Sequence, residues 1–418
     1  MADQKTWDTS YEWKAVTLLG LGFGLVGLDR WIIAPLFPFM MKDLRMGYQD
    51  LGNLVGILGL CWGVFAIIMG GLSDKIGRRK VLIPAILLFS LLSGLSGLAT
   101  GFASLILIRA IMGVTEGSFC PTSFAATNEA SLPKRRGFNQ GVQQCGFALF
   151  GLGFGPIIAT QLLTVVPTWR WVFFIVAIPG FILGALMFYI IRDPVRTEAH
   201  HQSAATGGWL KIFGSRNIVL SMFALFCAMT GVFVISAMLP NYLIDYLHLT
   251  PSQMGFVTSA IGFGGFVGQF GIPGLSDVLG RKLLAILGFF GAAALIRVFI
   301  AVGPNPPLLF ALMFVISFFC LGLIALLTGP IATESAPAGL VSSAIGIVVG
   351  AGEIFGGGVA PVIAGFTAQH YGIQNILNLA LYGVLLGVVV CLFLKETAPT
   401  KANRAAGREL AFESTAKP

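Results

Sequence analysis

Twelve apolar runs leave this chain few folds to choose from. A helix rises about 1.5 Å per residue, so about 20 apolar residues are needed to cross about 30 Å of hydrocarbon. Runs of that length fall at 14–40, 50–72, 81–99, 103–126, 138–163 and 170–191, and again at 217–243, 252–275, 283–303, 307–331, 342–368 and 373–394. Water is absent there to satisfy backbone N–H and C=O groups, so each run must be a helix. Hydrophobic residues make up 56% of the sequence and charged residues 11%, far from a soluble domain. The predicted fold class is therefore all-α and integral to the membrane, with twelve transmembrane helices.

The basic residues set an orientation. Placing both termini in the cytoplasm puts Lys75, Arg78, Arg79, Lys80, Lys134, Arg135, Arg136, Arg192, Arg281 and Lys282 inside, with Lys42, Arg45 and Arg170 outside. The expected location is a bacterial inner membrane. The net charge of +8 then belongs to loops beside anionic lipid and gives no reason to invoke nucleic acid. The polar opening MADQKTWDTSYEWK leads into a span without a small-residue cleavage site, which reads as retained. All six cysteines fall within spans and read as packing thiols; no pair has metal spacing.

The chain also repeats itself about 200 residues apart. GGLSDKIGRRKVL is echoed by PGLSDVLGRKLLA, FGPIIA by VAPVIAG, and IIRDP by FLKETAP. This gives an N-terminal six-helix bundle over 1–192, a cytoplasmic linker over 193–216, a C-terminal bundle over 217–396 and a cytoplasmic tail over 397–418. Two such halves are a transporter plan, rocking about a site near the midplane. No phosphate loop or metal-spaced His or Cys supports an enzyme, so neither a cofactor nor a metal is expected. No ring of like charges supports a channel.

The Gly-x-Leu-x-Asp-x-x-Gly-Arg-Arg/Lys pattern between the second and third spans resembles the signature loop of the major facilitator superfamily. Its glycines permit a tight turn and its aspartate favours a helix start. The resemblance implies the two-bundle fold and a latch between the halves, with gating roles for Asp74, Arg78, Asp277 and Arg281.

Six charges remain inside spans: Asp29, Arg30, Arg109, Glu116, Arg297 and Glu353. Each costs on the order of 3 kcal/mol at the bilayer centre, which makes each a candidate for function. At about 1.5 Å per residue, Asp29, Arg30 and Arg109 lie at a similar level, with Glu116 two turns from Arg109 on the same face. Glu353 lies near the midplane, and Arg297 is placed to snorkel outward. A structural network of buried ion pairs is the alternative reading.

LDRWIIA in the first span and RAIMGVTEGSFCPTS in the fourth resemble the Asp-Arg and Arg-x-x-x-Gly-x-x-Glu-x-x-x-x-Pro patterns of the anion:cation symporter family, which includes D-galactonate/proton symporters and sialin. MLPNYL is similar to a segment common there, and NEASLPKRRG resembles the aromatic-acid/proton symporters. Ile32 stands where the family often has Asn, and Met238 where it often has Trp. The resemblance implies that Asp29 and Glu116 carry protons, that Arg30 reads the substrate or couples it to protonation, and that Arg109 partners it. Gln144, Asn241, Tyr242 and Glu353 complete the expected substrate-binding set, with Gln143 and Gln269 as further polar candidates and Trp31 and Trp62 as walls. The function that follows is proton-coupled uptake of a small organic anion, such as a sugar acid or aromatic acid, by a monomer working through alternating access. A proton-driven exporter, an anion exchanger and a nutrient sensor on the same fold stay open as alternatives.

Overall fold

The computed structural model describes residues 7–192, 208–337 and 340–398. Twelve helices among them are long and apolar enough to cross a membrane: α1 Thr9–Leu44, α2 Tyr48–Met69, α3 Arg78–Ser96, α4 Phe102–Ala130, α5 Arg136–Val165, α6 Trp169–Ile190, α7 Arg216–Tyr246, α8 Pro251–Leu279, α9 Arg281–Ala301, α10 Pro306–Ser335, α11 Ser343–Tyr371 and α12 Ile373–Leu392. The described residues contain no strand. The side chain of Asp74, residues 193–207 of the expected linker and the tail from 399 onward lie outside the described residues. The rest of the expected linker includes a short helix, Gly208–Phe213.

Local sequence explains where the helices start, bend and end. Asp8 caps α1 by accepting from the Tyr11 N–H at 3.0 Å. Thr250 and Gln253 form a reciprocal capping box at the start of α8, with Pro251 as its first residue. α1 breaks at Ile32, just before Pro35 and Pro38, neither of which has an N–H to return to the preceding turn. The signature loops turn at Gly77 (φ 102°) and Gly280 (φ 99°), a backbone region that L side chains avoid. The same two positions of the repeat thus carry the same turn.

Four spans widen into π-helical segments, at Phe147–Phe154, Tyr242–Tyr246, Leu327–Ile331 and Glu353–Val359. Those in α5 and α11 are equivalent in the repeat, and each is followed within two residues by a proline, Pro156 or Pro361. Extra residues of this kind cluster at functional sites in helices.

The halves meet where side chains are smallest. A Cβ at Gly59 on α2 would collide with the backbone of Gly357 on α11. One at Gly262 on α8 would collide with that of Gly153 on α5. These two crossings are related by the internal repeat and let backbones approach closely, as small residues do between membrane helices.

Hydrogen bonds between the halves, among the described residues, gather away from the signature loops. Tyr48 donates through its hydroxyl to Asp245 (2.9 Å) and through its N–H to Gln369 (2.9 Å). Gln49 donates to the Val362 carbonyl (3.3 Å), and Asn241 to the Met41 sulfur (3.3 Å). At the opposite end each signature loop is tied to its own half. Arg78 pairs with Glu129 at 2.9 Å, and Arg281 pairs with Glu334 at 2.9 Å and with Asp277 at 2.7 Å. Arg78, Asp277 and Arg281, expected in a latch between the halves, thus each pair with a residue of their own half. The bundle is closed by polar contacts at the end away from these loops.

Candidate functional site

The intramembrane charges converge as expected, yet pair differently. Asp29, Arg30, Arg109, Glu116 and Glu353 are all buried, none more than 5% exposed. Neighbours along a helix point about 100° apart, so Asp29 and Arg30 leave α1 toward different partners. The Asp29 carboxylate accepts from the Ser93 hydroxyl on α3 at 2.8 Å. Arg30 faces the other half, where its Nη2 donates to Glu353 Oε2 on α11 at 2.9 Å. This ion pair joins the halves in the interior, and it gives the Arg30 guanidinium Glu353 as its side-chain partner, while Arg109 meets Arg30 at its backbone.

Arg109 serves α1 instead. Its Nη1 donates to the carbonyls of Asp29 (3.2 Å) and Arg30 (3.1 Å), beside the break at Ile32. It thereby fixes the backbone that presents both charged side chains. Glu116, two turns along α4, is fully buried, and neither of its carboxyl oxygens has a hydrogen-bond partner. Asp29, Arg30, Arg109 and Glu353 all act on it electrostatically, so the five groups form one cluster.

Around Arg30 the site is rich in unmatched donors. Its Nε and Nη1 are buried without an acceptor, as are the indole Nε1 atoms of Trp31 and Trp62 and the Nε of Arg109. The guanidinium carbon lies 5.6 Å from the Trp31 ring, 5.7 Å from Trp62 and 5.0 Å from Phe233. Trp31 and Phe233 meet edge to face across the two halves, their centroids 5.1 Å apart. A cation in such a box is held by aromatic faces that offer little hydration, which leaves its N–H groups for an incoming acceptor. A planar fork of this kind suits a carboxylate.

The remaining expected residues take other places. Asn241 and Tyr242 belong to the closed end: Asn241 donates to Asp245 (3.2 Å) and to Met41, and Tyr242 stacks on Tyr246 at 5.2 Å. Gln144 is half-buried, while its neighbour Gln143 is buried and donates to Ser123 at 2.8 Å. The Oε1 of Gln269 is buried and unpartnered. Arg297 is exposed on α9, as snorkelling requires.

Sequence reasoning missed Ser93, Phe233, Glu129 and Glu334, none of which stands out by residue type. It also missed Glu12. This residue is fully buried at the start of α1, where it accepts from the Trp7 indole (2.9 Å), the Leu132 N–H (3.2 Å) and Asn139 (2.9 Å). Its place in the polar opening segment concealed it. The one available signal was a carboxylate only two residues before the apolar run at 14–40.

Comparison with known proteins places this geometry in context. Residues 19–230 and 221–417 match the family model of the Major Facilitator Superfamily. A hexuronate transporter of Bacillus subtilis (strain 168) is 28% identical over 64% of this chain and 68% of its own length. A sialic acid transporter of Escherichia coli (strain K12) is 27% identical, covering 86% of this chain and 88% of the relative. A D-galactonate transporter of Escherichia coli O6:H1 is 25% identical over 82% and 86% of the two chains. Among solved structures, a bacterial homolog to the human lysosomal transporter Spinster, inward-facing and occupied, superposes with a TM-score of 0.69 at 15% identity, covering 93% of this chain and 97% of the other.

Proposed function

Because this chain belongs to the Major Facilitator Superfamily, we propose that it takes up a small organic anion, a carboxylate, in symport with protons by alternating access. The observation that carries this reading is the buried Arg30 fork with two unpartnered N–H-bearing nitrogens, beside two unpartnered indole N–H groups. Buried donors without acceptors are costly. A carboxylate entering the box satisfies several of them at once. The acids carried by the relatives named above are of that class.

Coupling is assigned to Asp29 and Glu116. Glu116 has no hydrogen-bond donor, so an ionised carboxylate there lacks the local compensation a buried charge needs. A proton removes that charge, and an anion at Arg30 makes the proton more welcome still. By reciprocity, protonation favours the anion, and the two move together. Both termini are assigned to the cytoplasm of a bacterial inner membrane from the basic loops, and the working unit is assigned as a monomer. On that orientation the closed end faces outward.

The test is uptake into proteoliposomes of radiolabelled D-galactonate, D-glucuronate, sialic acid and 4-hydroxybenzoate, with and without an inward proton gradient. Accumulation of one acid that collapses with the gradient and in Arg30→Ala supports the reading. Absence of carboxylate movement under every gradient refutes it and turns attention to export or sensing.

A further inference from the structure

Arg30 is already occupied. Its partner, Glu353, is an acid of this chain presented from the other half, 323 residues away in sequence, at a carboxylate-to-guanidinium distance of 2.9 Å. The surrounding backbone is shaped for that contact. Glu353 opens the π-helical segment of α11, and one turn later Gly357 leaves room for the pair: a Cβ there would come 2.5 Å from Glu353 Oε2 and 3.0 Å from Arg30 Nη2. Any side chain at 357 would push into the ion pair. Only one Arg30 nitrogen is engaged, and Nε and Nη1 are buried without an acceptor while Glu353 is in place.

We propose that Glu353 is a resident counter-anion, which neutralises Arg30 in the empty carrier and is displaced when a substrate carboxylate takes the guanidinium. This rests on the anion-transport reading and adds a specificity-determining residue to it. In the empty carrier the pair has no net charge, so Arg30 can pass between the two access states without an uncompensated charge in low dielectric. An arriving carboxylate lands on the free edge of the fork, and Glu353 lets go. The proton that enters with the anion is carried by Asp29 and Glu116, as assigned above. One anion and one proton have then entered, and the cluster's charge is what it was before. Facing Glu353 are Arg30 from α1 and, within electrostatic reach on α4, Glu116 and the Cys120 thiol. The α7 surface against this part of α11 is Leu225, Phe226 and Met229, without charge.

The same contact joins the two halves on the inner side of the closed end. Its release removes an interior tie, so substrate binding loosens the closure that the empty carrier maintains. A substrate for such a site must compete with a tethered carboxylate, which selects for acids that bring further contacts with the aromatic box and against small inorganic anions.

Two substitutions separate this role from an ordinary substrate contact. Glu353→Gln removes the competitor, and Gly357→Ala displaces it while leaving both charges in the chain. In detergent, both variants are expected to bind the acid that wild type carries about tenfold more tightly, since the site no longer spends part of its population on its own carboxylate. Net uptake in proteoliposomes is expected to fall while exchange of labelled for unlabelled acid continues, because the empty return now carries a bare Arg30. Without any ligand, double electron–electron resonance between nitroxides at exposed Lys42 and Gln374, installed by Lys42→Cys and Gln374→Cys on a Cys61→Ser background, is expected to show a longer distance in Glu353→Gln. Weaker or unchanged binding in both variants, or an unchanged distance distribution, overturns the proposal. If wild type binds none of the acids tested, the transport reading falls, and the distance measurement alone decides whether Glu353 holds the halves.

Discussion

The two six-helix halves agree at their ends and differ at their centres. Each has a signature loop turning on a positive-φ glycine, Gly77 or Gly280, followed by an arginine that reaches a glutamate near the end of its half's fourth span. Arg78 and Glu129 are 51 residues apart, and Arg281 and Glu334 are 53 apart. At mid-membrane the match ends. The N-terminal half contributes Asp29, Arg30, Arg109 and Glu116 to the buried cluster, while the C-terminal half contributes Glu353. Duplication supplied two rocking bodies with the same mechanical ends, and the chemistry then gathered in one of them. The second half supplies a single counter-charge and an aromatic wall, Phe233.

The strongest way to break this asymmetry is to remove its centre. Arg30→Ala is expected to lower uptake about a hundredfold or more, the scale seen when one partner of a buried hydrogen-bonded charge pair is deleted. Arg30→Lys should not restore it, because an ammonium offers no planar fork. Initial rates of uptake check both. Next in size, Glu116→Gln should abolish accumulation above equilibrium while exchange persists, measured as the plateau reached under an inward proton gradient. If accumulation survives in that variant, coupling does not run through the N-terminal half as drawn.

Smaller effects test the shared ends. Gly59→Val and Gly262→Val place bulk at the two repeat-related crossings and should slow uptake about equally, with an overpacking cost of about 1–3 kcal/mol each. Unequal slowing would mean that one crossing moves and the other stays packed. Arg78→Ala and Arg281→Ala each delete charged hydrogen bonds worth about 1.5–3 kcal/mol. Their melting midpoints in detergent should drop by similar amounts.

How much of this was legible in the sequence follows from what membrane burial makes expensive. The helix count, the repeat and the four N-terminal charges stand out because hydrocarbon tolerates so few polar residues that each one is conspicuous. Pairing was not legible. Asp29 and Arg30 adjoin in sequence, which suggests an ion pair, but the helix turns them apart, and the true partner of Arg30 lies 323 residues on. Ser93 and Phe233 are unremarkable residue types in apolar helices, and only the fold brings them to Asp29 and Arg30. Glu129 and Glu334 sit near loops, where a charge costs nothing and so signals nothing. Asn241 and Tyr242 read as cavity residues because they are polar within a span, and only the packing of α7 on α1 assigns them to the closed end.

The smallest expected effect contrasts the two halves where each closes on itself. In the N-terminal half the start of α1 is tied to the end of α6 by charge: Asp8 accepts from the Tyr11 N–H and pairs with Arg192 at 3.1 Å. In the C-terminal half the equivalent tie is neutral, with the Asn217 amide accepting from the Lys395 N–H and donating to the Lys395 carbonyl, both at 3.0 Å. The Tyr11 N–H, helped by Arg192 and opposed by slight desolvation, holds the Asp8 carboxyl below its ordinary value of 3.8. A depressed carboxylate adds stability above the unfolded value and loses it as pH falls through the lower folded one. Protonation of Asp8 below pH 3.8 should therefore loosen the first tie and leave the second unchanged. Amide hydrogen exchange in nanodiscs, corrected for intrinsic rates, should show protection at Tyr11 falling with acid while protection at Lys395 holds. In Asp8→Asn the Tyr11 protection should become independent of pH, as the neutral tie already is. If both ties loosen together in the wild type, acid is acting on the bundle as a whole, and the charged and neutral closures are mechanically the same.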